Sequence, residues 1–432
     1  MNRRRRLIFG LVALLLLAHL GTGLQLYLGE ARAAERDDAY PQLALFSRVL
    51  QLIKKDYVDG GDLTYKELVS AAVRGMLDSL DPHSEFLEPD KYDELKTDTE
   101  GEFGGLGVTV SPREGKIHIV DVVDDTPGDR AGLLAGDQLV AVEGDPVREW
   151  SVGEVVGRLR GKPGTEVQLT TFRPSTGETS EHRLTRAVIP IHTIRDLNWK
   201  RKFPLLEDGI GYLQITQFGE KTSAEMDAAL EKMADAGMSA LILDLRDNPG
   251  GLLESAVRIC DKFVKKNDLV VSTEGRNGAQ QAEFRGTGRG RYQKLRLAVL
   301  VNGGSASASE ILAGCLQDLK RARVFGEQTF GKGSVQSILP LQDGTALRLT
   351  TAKYYTPSHK VIHEYGITPD SIVDMTEAEE RDLLYRRQPG GLDLLDEAGR
   401  ERARKVRDLP LERAIDYLRG MRILAGNPIP RA

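Results

Sequence analysis

Cysteine is almost absent from this 432-residue chain, which has only Cys260 and Cys315. A disulfide framework is therefore excluded as the source of stability, and the fold must rest on buried apolar cores. Both cysteines fall on predicted helices and read either as buried free thiols or as one disulfide; no histidine stands near either in sequence to suggest a cysteine nucleophile. An excess of positive charge is also missing, since the net charge is −5, and nothing in it signals nucleic-acid binding. Internal repeats and low-complexity tracts are lacking. What is present is 40% hydrophobic and 28% charged residues, an ordinary soluble composition, with length for about three domains.

The one basic cluster opens the chain. Arg3 to Arg6 precede an apolar run from Leu7 to about Leu20, weakly extended through Leu28, which is the layout of an export signal, and Ala31-Arg32-Ala33 offers a cleavage site. A retained anchor fits equally, because the stretch to Leu28 is nearly long enough to span a bilayer. Residues 1–35 are thus expected to be a signal peptide or signal anchor. The remainder is expected to be extracytoplasmic (periplasmic), either soluble after cleavage or anchored in the inner membrane.

Four regions follow. Residues 36–100 read as helical, with Leu43, Phe46, Leu50 and Ile53 on one packing face and Leu68, Met76 and Leu80 on another, ending in LDPHSEFL (80–87), where Asp81-Pro82 breaks the helix and His83 reads as a structural loop histidine. Residues 101–189 change to short β-type runs between Gly, Pro and Asp turns, with one helix at 152–159. That order, with Gly105-Leu106-Gly107-Val108 opening the first strand, resembles a PDZ domain. Such domains add a peptide as an extra strand and hold its terminal carboxylate in consecutive N–H groups, a role the resemblance gives to Gly105, Leu106, Gly107 and Val108. Residues 190–375 alternate strand and helix in an α/β pattern, with strands at 211–217, 241–245, 297–301, 322–325, 334–341 and 346–354. Residues 376–432 are charged and helical; Leu411, Ile415 and Leu418 form one apolar stripe, for which core packing and self-association fit equally.

The chemistry concentrates between Asn302 and Gln336. There NGGSASASE sets Ser307 at a helix start, and Lys332, flanked by Gly331 and Gly333, follows twenty-five residues later. A serine hydroxyl needs a base, and a lysine amine serves as one only where burial lowers its pKa. Taken alone, Ser307-x-x-Glu310 is a helix capping box. The ordered set LDPHSEFL, GEFGGLGV, LDLRDNPGG, GGSASASEI, TFGKGSVQ and TAKYYTP, across residues 40–375, resembles the carboxyl-terminal processing (tail-specific) proteases.

The resemblance implies a mixed-sheet α/β protease core with an inserted PDZ domain and helical terminal segments. It also implies Ser307 as nucleophile, Lys332 as general base and Gln336 as the residue holding the amine. The amide of Ala308, at a helix N-terminus, is well placed as an oxyanion donor, and by resemblance the second donor comes from Gly250 or Gly251. No metal or organic cofactor is implied. Partners are protein or peptide substrates with exposed C-terminal tails, with an adaptor protein and a homo-oligomer through the terminal helices left open, and Arg160 in LRGKPG a candidate arm of a PDZ switch.

Rival chemistries fail on particular residues. Gly326 to Lys332 matches most of a phosphate-binding loop, but Gly333 stands where a Ser or Thr must ligate magnesium, and a strand follows where a helix is required. His359 and His363 have zinc-peptidase spacing without the glutamate between them, and no G-x-S-x-G elbow surrounds the three serines. Asp244 and Asp247 read as turn and strand-end acceptors. The reading is a serine endopeptidase that cleaves C-terminal tails of periplasmic or envelope proteins; the alternative is a non-catalytic PDZ scaffold, against which the intact Ser307, Lys332 and NPGG argue.

Overall fold

The computed structural model describes residues 39–424 except 114, 280 and 389, so residues 1–38, which include the expected signal peptide or anchor, and the last eight residues lie outside the described part. No helix among the described residues is long and apolar enough to cross a membrane. The chain divides into two compact units between Pro82 and His83.

The first unit holds helices Ala39–Asp56 and Tyr65–Asp78, the second started by a capping box in which Thr64 Oγ1 accepts from the Glu67 amide at 3.1 Å. The apolar periodicity produces these helices but does not cover them. Ala39–Asp56 buries none of its residues, and Leu43, Phe46, Ile53, Met76 and Leu80 are all exposed. The expected packing faces are present in the sequence, but only Leu50 and Leu68 of them are half-buried.

The core of the second unit is a parallel sheet in which Ile210–Ile215, Ala240–Asp244, Arg296–Val301 and Ala322–Gly326 lie side by side in chain order. Their unbroken apolar runs follow from burial on both faces. Alternate residues turn opposite ways. Leu213, Leu241, Leu243 and Val299 share one core with helices Thr222–Asp235, Leu253–Asp261 and Ala308–Asp318. Tyr212, Ile242, Leu300 and Phe325 meet Leu411, Ala414 and Leu418 of helix Leu409–Leu424 on the other face. The C-terminal apolar stripe therefore packs into the core.

A second, antiparallel sheet pairs Ser334–Pro340 with Ala346–Tyr355, which also carries Glu85–Leu87 and Leu269–Gly275. The strands Leu269–Gly275 and Ala282–Arg285 are not anticipated from the sequence pattern, and His83 leads straight into the strand Glu85–Leu87.

Residues 108–185 form a separate sheet in the order Val108–Arg113, Lys116–Val122, Gln138–Val142, Glu166–Arg173, Glu178–Thr185, around a core of Leu106, Ile119, Leu139, Val155 and Leu169. Its entry strand Glu102–Gly105 pairs with its exit strand Ala187–Pro190, so the domain is inserted on a two-stranded neck.

Candidate active site

Three segments singled out in the sequence leave the carboxyl ends of neighbouring parallel strands: RDNPGG after Asp244, NGGSAS after Val301 and EQTFGKG after Gly326. Register sets Asp244 beside Leu300 and Val301 beside Gly326, so the exits converge. Crevices outside the carboxyl ends of strands are where open α/β sheets build sites.

The three serines of SASAS separate by what their hydroxyls do. Ser305 Oγ donates to the Leu245 carbonyl at 2.8 Å, and Ser309 Oγ donates to the Asn248 carbonyl at 3.0 Å; both residues are fully buried. They fasten the 302–309 loop to the RDNPGG turn. Ser307 is half-buried, at φ 56° and ψ −113°, a backbone conformation that non-glycine residues rarely adopt. Ser307 and Glu310 face each other as the capping box requires. The Glu310 amide, however, bonds the Ser307 carbonyl at 2.9 Å, and the hydroxyl forms no cap bond of good geometry.

Glu310 does more than cap. Its carboxylate is buried in the site, where Oε1 accepts from Thr329 Oγ1 (2.6 Å) and Gly331 N–H (2.7 Å), and Oε2 accepts from Ser307 N–H (2.8 Å) and Lys332 N–H (2.9 Å). One side chain thus ties the Ser307 loop to the Lys332 loop. Burial pushes the Glu310 pKa up, against these hydrogen bonds. On its other side the Lys332 loop packs backbone to backbone against the 362–363 segment, since a Cβ at Gly333 would lie 2.1 Å from the His363 nitrogen.

Burial is the main cause that lowers the Lys332 pKa from its ordinary value; the Arg348 guanidinium lowers it further, and Glu310 opposes both. Arg348 is held by LDPHSEFL, donating to the His83 carbonyl (3.2 Å) and to Glu85 (2.6 Å). The sequence gives no sign of Arg348, whose partners lie more than 260 residues away. Glu310 was visible only as a cap.

Among the described residues no hydrogen bond joins Ser307 Oγ to Lys332 Nζ, or Gln336 to Lys332. Gln336 instead donates its side-chain N–H groups to Ser334 Oγ (3.1 Å) and Thr350 Oγ1 (2.9 Å). The NPGG turn lies directly against the serine: a Cβ at Gly250 would sit 2.8 Å from Ser307 Cβ and 3.0 Å from the Ala308 nitrogen. The Ala308 N–H, at the helix start, has no backbone partner among the described residues. The Gly250 N–H donates to Asn248 Oδ1 at 2.8 Å, whereas Gly251 N–H has no partner among the described hydrogen bonds.

In the 102–190 domain, Gly107 has φ 77°, and the carbonyls of Leu106 and Gly107 accept from Gly128 and Val123 at 2.8 Å, which fixes the turn that follows Gly105. Leu106 itself belongs to the domain core. Val108–Arg113 is one of the two edge strands of its sheet, with Glu178–Thr185 at the other edge, and runs beside helix Val152–Leu159. Arg160, just after that helix, stacks over the Phe103 ring at 4.6 Å. Cys260 and Cys315 are both buried and free; burial first, then the neighbouring Cys315, pushes the Cys260 thiol up. Among the described residues no group of His, Cys, Asp and Glu could hold a metal ion.

Residues 209–373 match the model of peptidase family S41, and residues 104–184 match a PDZ domain. The chain is 40% identical over 341 residues to a carboxy-terminal-processing protease of Bartonella bacilliformis, covering 78% of this chain and 76% of that protein. The chain belongs to peptidase family S41, the carboxy-terminal-processing proteases. It is likewise 34% identical over 349 residues to the carboxy-terminal processing protease CtpA of Bacillus subtilis, covering 81% and 72%. Among solved structures, the photosystem II D1 C-terminal processing protease matches at 28% identity and a TM-score of 0.43, over 77% of this chain and 92% of that one. As an S41 family member carrying a PDZ domain, the chain is a serine-type, carboxy-terminal-processing peptidase.

Proposed function

We propose that this peptidase cleaves exported proteins with Ser307 as nucleophile, Lys332 as general base and Gln336 as the acceptor that orients the lysine amine. The observation that carries the reading is the Glu310 carboxylate, which holds the backbone amides of Ser307 and Lys332 together while burial favours the neutral amine. Neutral Lys332 takes the Ser307 proton as Oγ attacks the scissile carbonyl; the ammonium then protonates the leaving amine, and water hydrolyses the acyl-enzyme by the same route. The Ala308 N–H and an N–H of the NPGG turn stabilise the oxyanion, with Gly251 the glycine whose N–H is unengaged. Bringing Lys332 Nζ onto Ser307 Oγ is part of substrate engagement, since catalytic hydrogen bonds tighten in the Michaelis complex.

The PDZ edge strand Val108–Arg113 is the docking site for a substrate tail, whose terminal carboxylate meets the amides around Gly105 to Val108. The N-terminal segment supports an extracytoplasmic, periplasmic location. The test is cleavage of an unfolded model protein followed by mass spectrometry of the fragments. Ser307→Ala and Lys332→Ala should each abolish cutting with the fold intact, and persistent cleavage by Ser307→Ala would overturn the assignment.

A further inference from the structure

We infer that the C-terminal arm, residues 376–424, positions the oxyanion turn, with Glu380, Arg387 and Asp408 acting on catalysis through the loops they hold. The inference rests on the proposed role of the NPGG turn. The arm begins three residues after the S41 match ends at residue 373.

Two attachments carry it. The first is an interior ion-pair cluster. Arg246, inside the RDNPGG turn, donates to Asp244 (Nη2 to Oδ2, 2.5 Å) and to Asp408 of the arm (Nη1 to Oδ1, 2.7 Å). Arg387 of the arm reaches the same Asp244 Oδ2 at 3.3 Å and pairs with Asp408, while Tyr212 Oη donates to Asp244 at 2.6 Å. The four charged side chains are 0–9% exposed and carry two charges of each sign, so each depends on the others for compensation.

The second attachment is Asn302. Its Oδ1 accepts from Asp247 N–H (2.9 Å) and Gly304 N–H (3.1 Å), and its Nδ2 donates to Asp247 Oδ1 (2.9 Å) and Glu380 Oε1 (3.2 Å). All four bonding positions of one amide are thus filled by the oxyanion turn, the serine loop and the arm. Gly250 and Gly251, at φ 103° and 140°, give the turn no stiffness of their own. Donors for an oxyanion must be fixed before charge develops. Ser305 and Ser309 hold the turn from the serine loop, and Ile215 and Phe218 hold it from the core; the arm adds fixation on the remaining side, at Asp247 and Arg246.

The test measures kcat and KM of the full-length protein on a peptide with a free C-terminus, together with thermal unfolding. Glu380 is only partly buried, so Glu380→Ala should fold; it should lower kcat about 10- to 100-fold at nearly constant KM and unchanged Tm. Glu380→Gln, which keeps an acceptor for Asn302, should recover most of the rate. Asp408→Asn should lower both kcat and Tm, and the Glu380 pair decides the matter if that variant is unstable. A wild-type kcat in Glu380→Ala, or equal losses in the Ala and Gln variants, would overturn the inference. Undiminished cleavage by Ser307→Ala would instead overturn the site reading on which it rests.

Discussion

The backbone amides of Ser307 and Lys332 donate to the same oxygen, Oε2 of Glu310, at 2.8 and 2.9 Å. The proposed nucleophile and base are therefore registered to each other through one carboxylate, although no hydrogen bond joins their side chains among the described residues.

Replacing Glu310 tests that registration. Glu310→Gln keeps the shape but exchanges one acceptor oxygen for a donor, so one of the two pairs of N–H and O–H donors loses its partner. Turnover should fall about 100-fold, the scale of a misplacement near 1 Å. Steady-state kinetics should show the loss in kcat, with KM little changed.

The serines should respond in opposite senses. Ser305→Ala removes the hydroxyl that bonds Leu245 O and accepts from Asn302 N–H, and should cost about 1–3 kcal/mol of stability while leaving measurable activity. Ser307→Gly should abolish cleavage yet stabilise the fold by about 1–3 kcal/mol, because glycine tolerates φ 56° without strain. Denaturant unfolding beside an activity assay separates the two; a destabilised Ser307→Gly protein would refute the strain argument.

The pH profile follows from the depressed Lys332 pKa. Activity should rise with pH through that pKa, which burial lowers from the roughly 10.4 of a free lysine, as the amine becomes neutral. Removing the like charge in Arg348→Gln should raise the pKa and move the acid limb to higher pH. Folding stability has the same sign: the unfolded state binds more protons between the two pKa values, so stability rises with pH across that window. An unchanged acid limb in Arg348→Gln would show that the guanidinium does not act on the amine.

Tail recognition should depend on the terminal charge. In the proposed reading, amides near Gly105, Leu106 and Gly107 would bind a carboxylate but gain little from a carboxamide. Amidating the C-terminus of a good peptide should slow its cleavage by the full-length protein. Equal rates on the free acid and the amide would show that the domain does not read tails.

Most of the fold was legible where burial is two-sided. Continuous apolar strands such as Ala240–Asp244 and Arg296–Val301 can only be interior, and their observed ends fall within a residue or two of the pattern. The site's segments were legible through turn residues and the resemblance they carry. What escaped was long-range polar contact. Nothing local marks Asp408 as the partner of Arg246, 162 residues earlier, or Arg348 as the neighbour of Lys332. The N-terminal helices failed differently: periodicity identifies an apolar face but not what covers it, and residues such as Leu43 and Phe46 are exposed.

The neck and the arm differ in how ionic strength will treat them. Glu102, on the neck strand, pairs with Lys221 of the core, and both side chains are well exposed, at 39% and 49%. Arg246, Arg387, Asp244 and Asp408 are hidden from water. Counterions screen exposed charges over about 3 Å at 1 M salt but barely reach buried ones. Concentrated salt should therefore loosen the tether of the PDZ domain while leaving the NPGG turn in place, so that dependence on a substrate's end and the rate of bond cleavage respond separately to one variable.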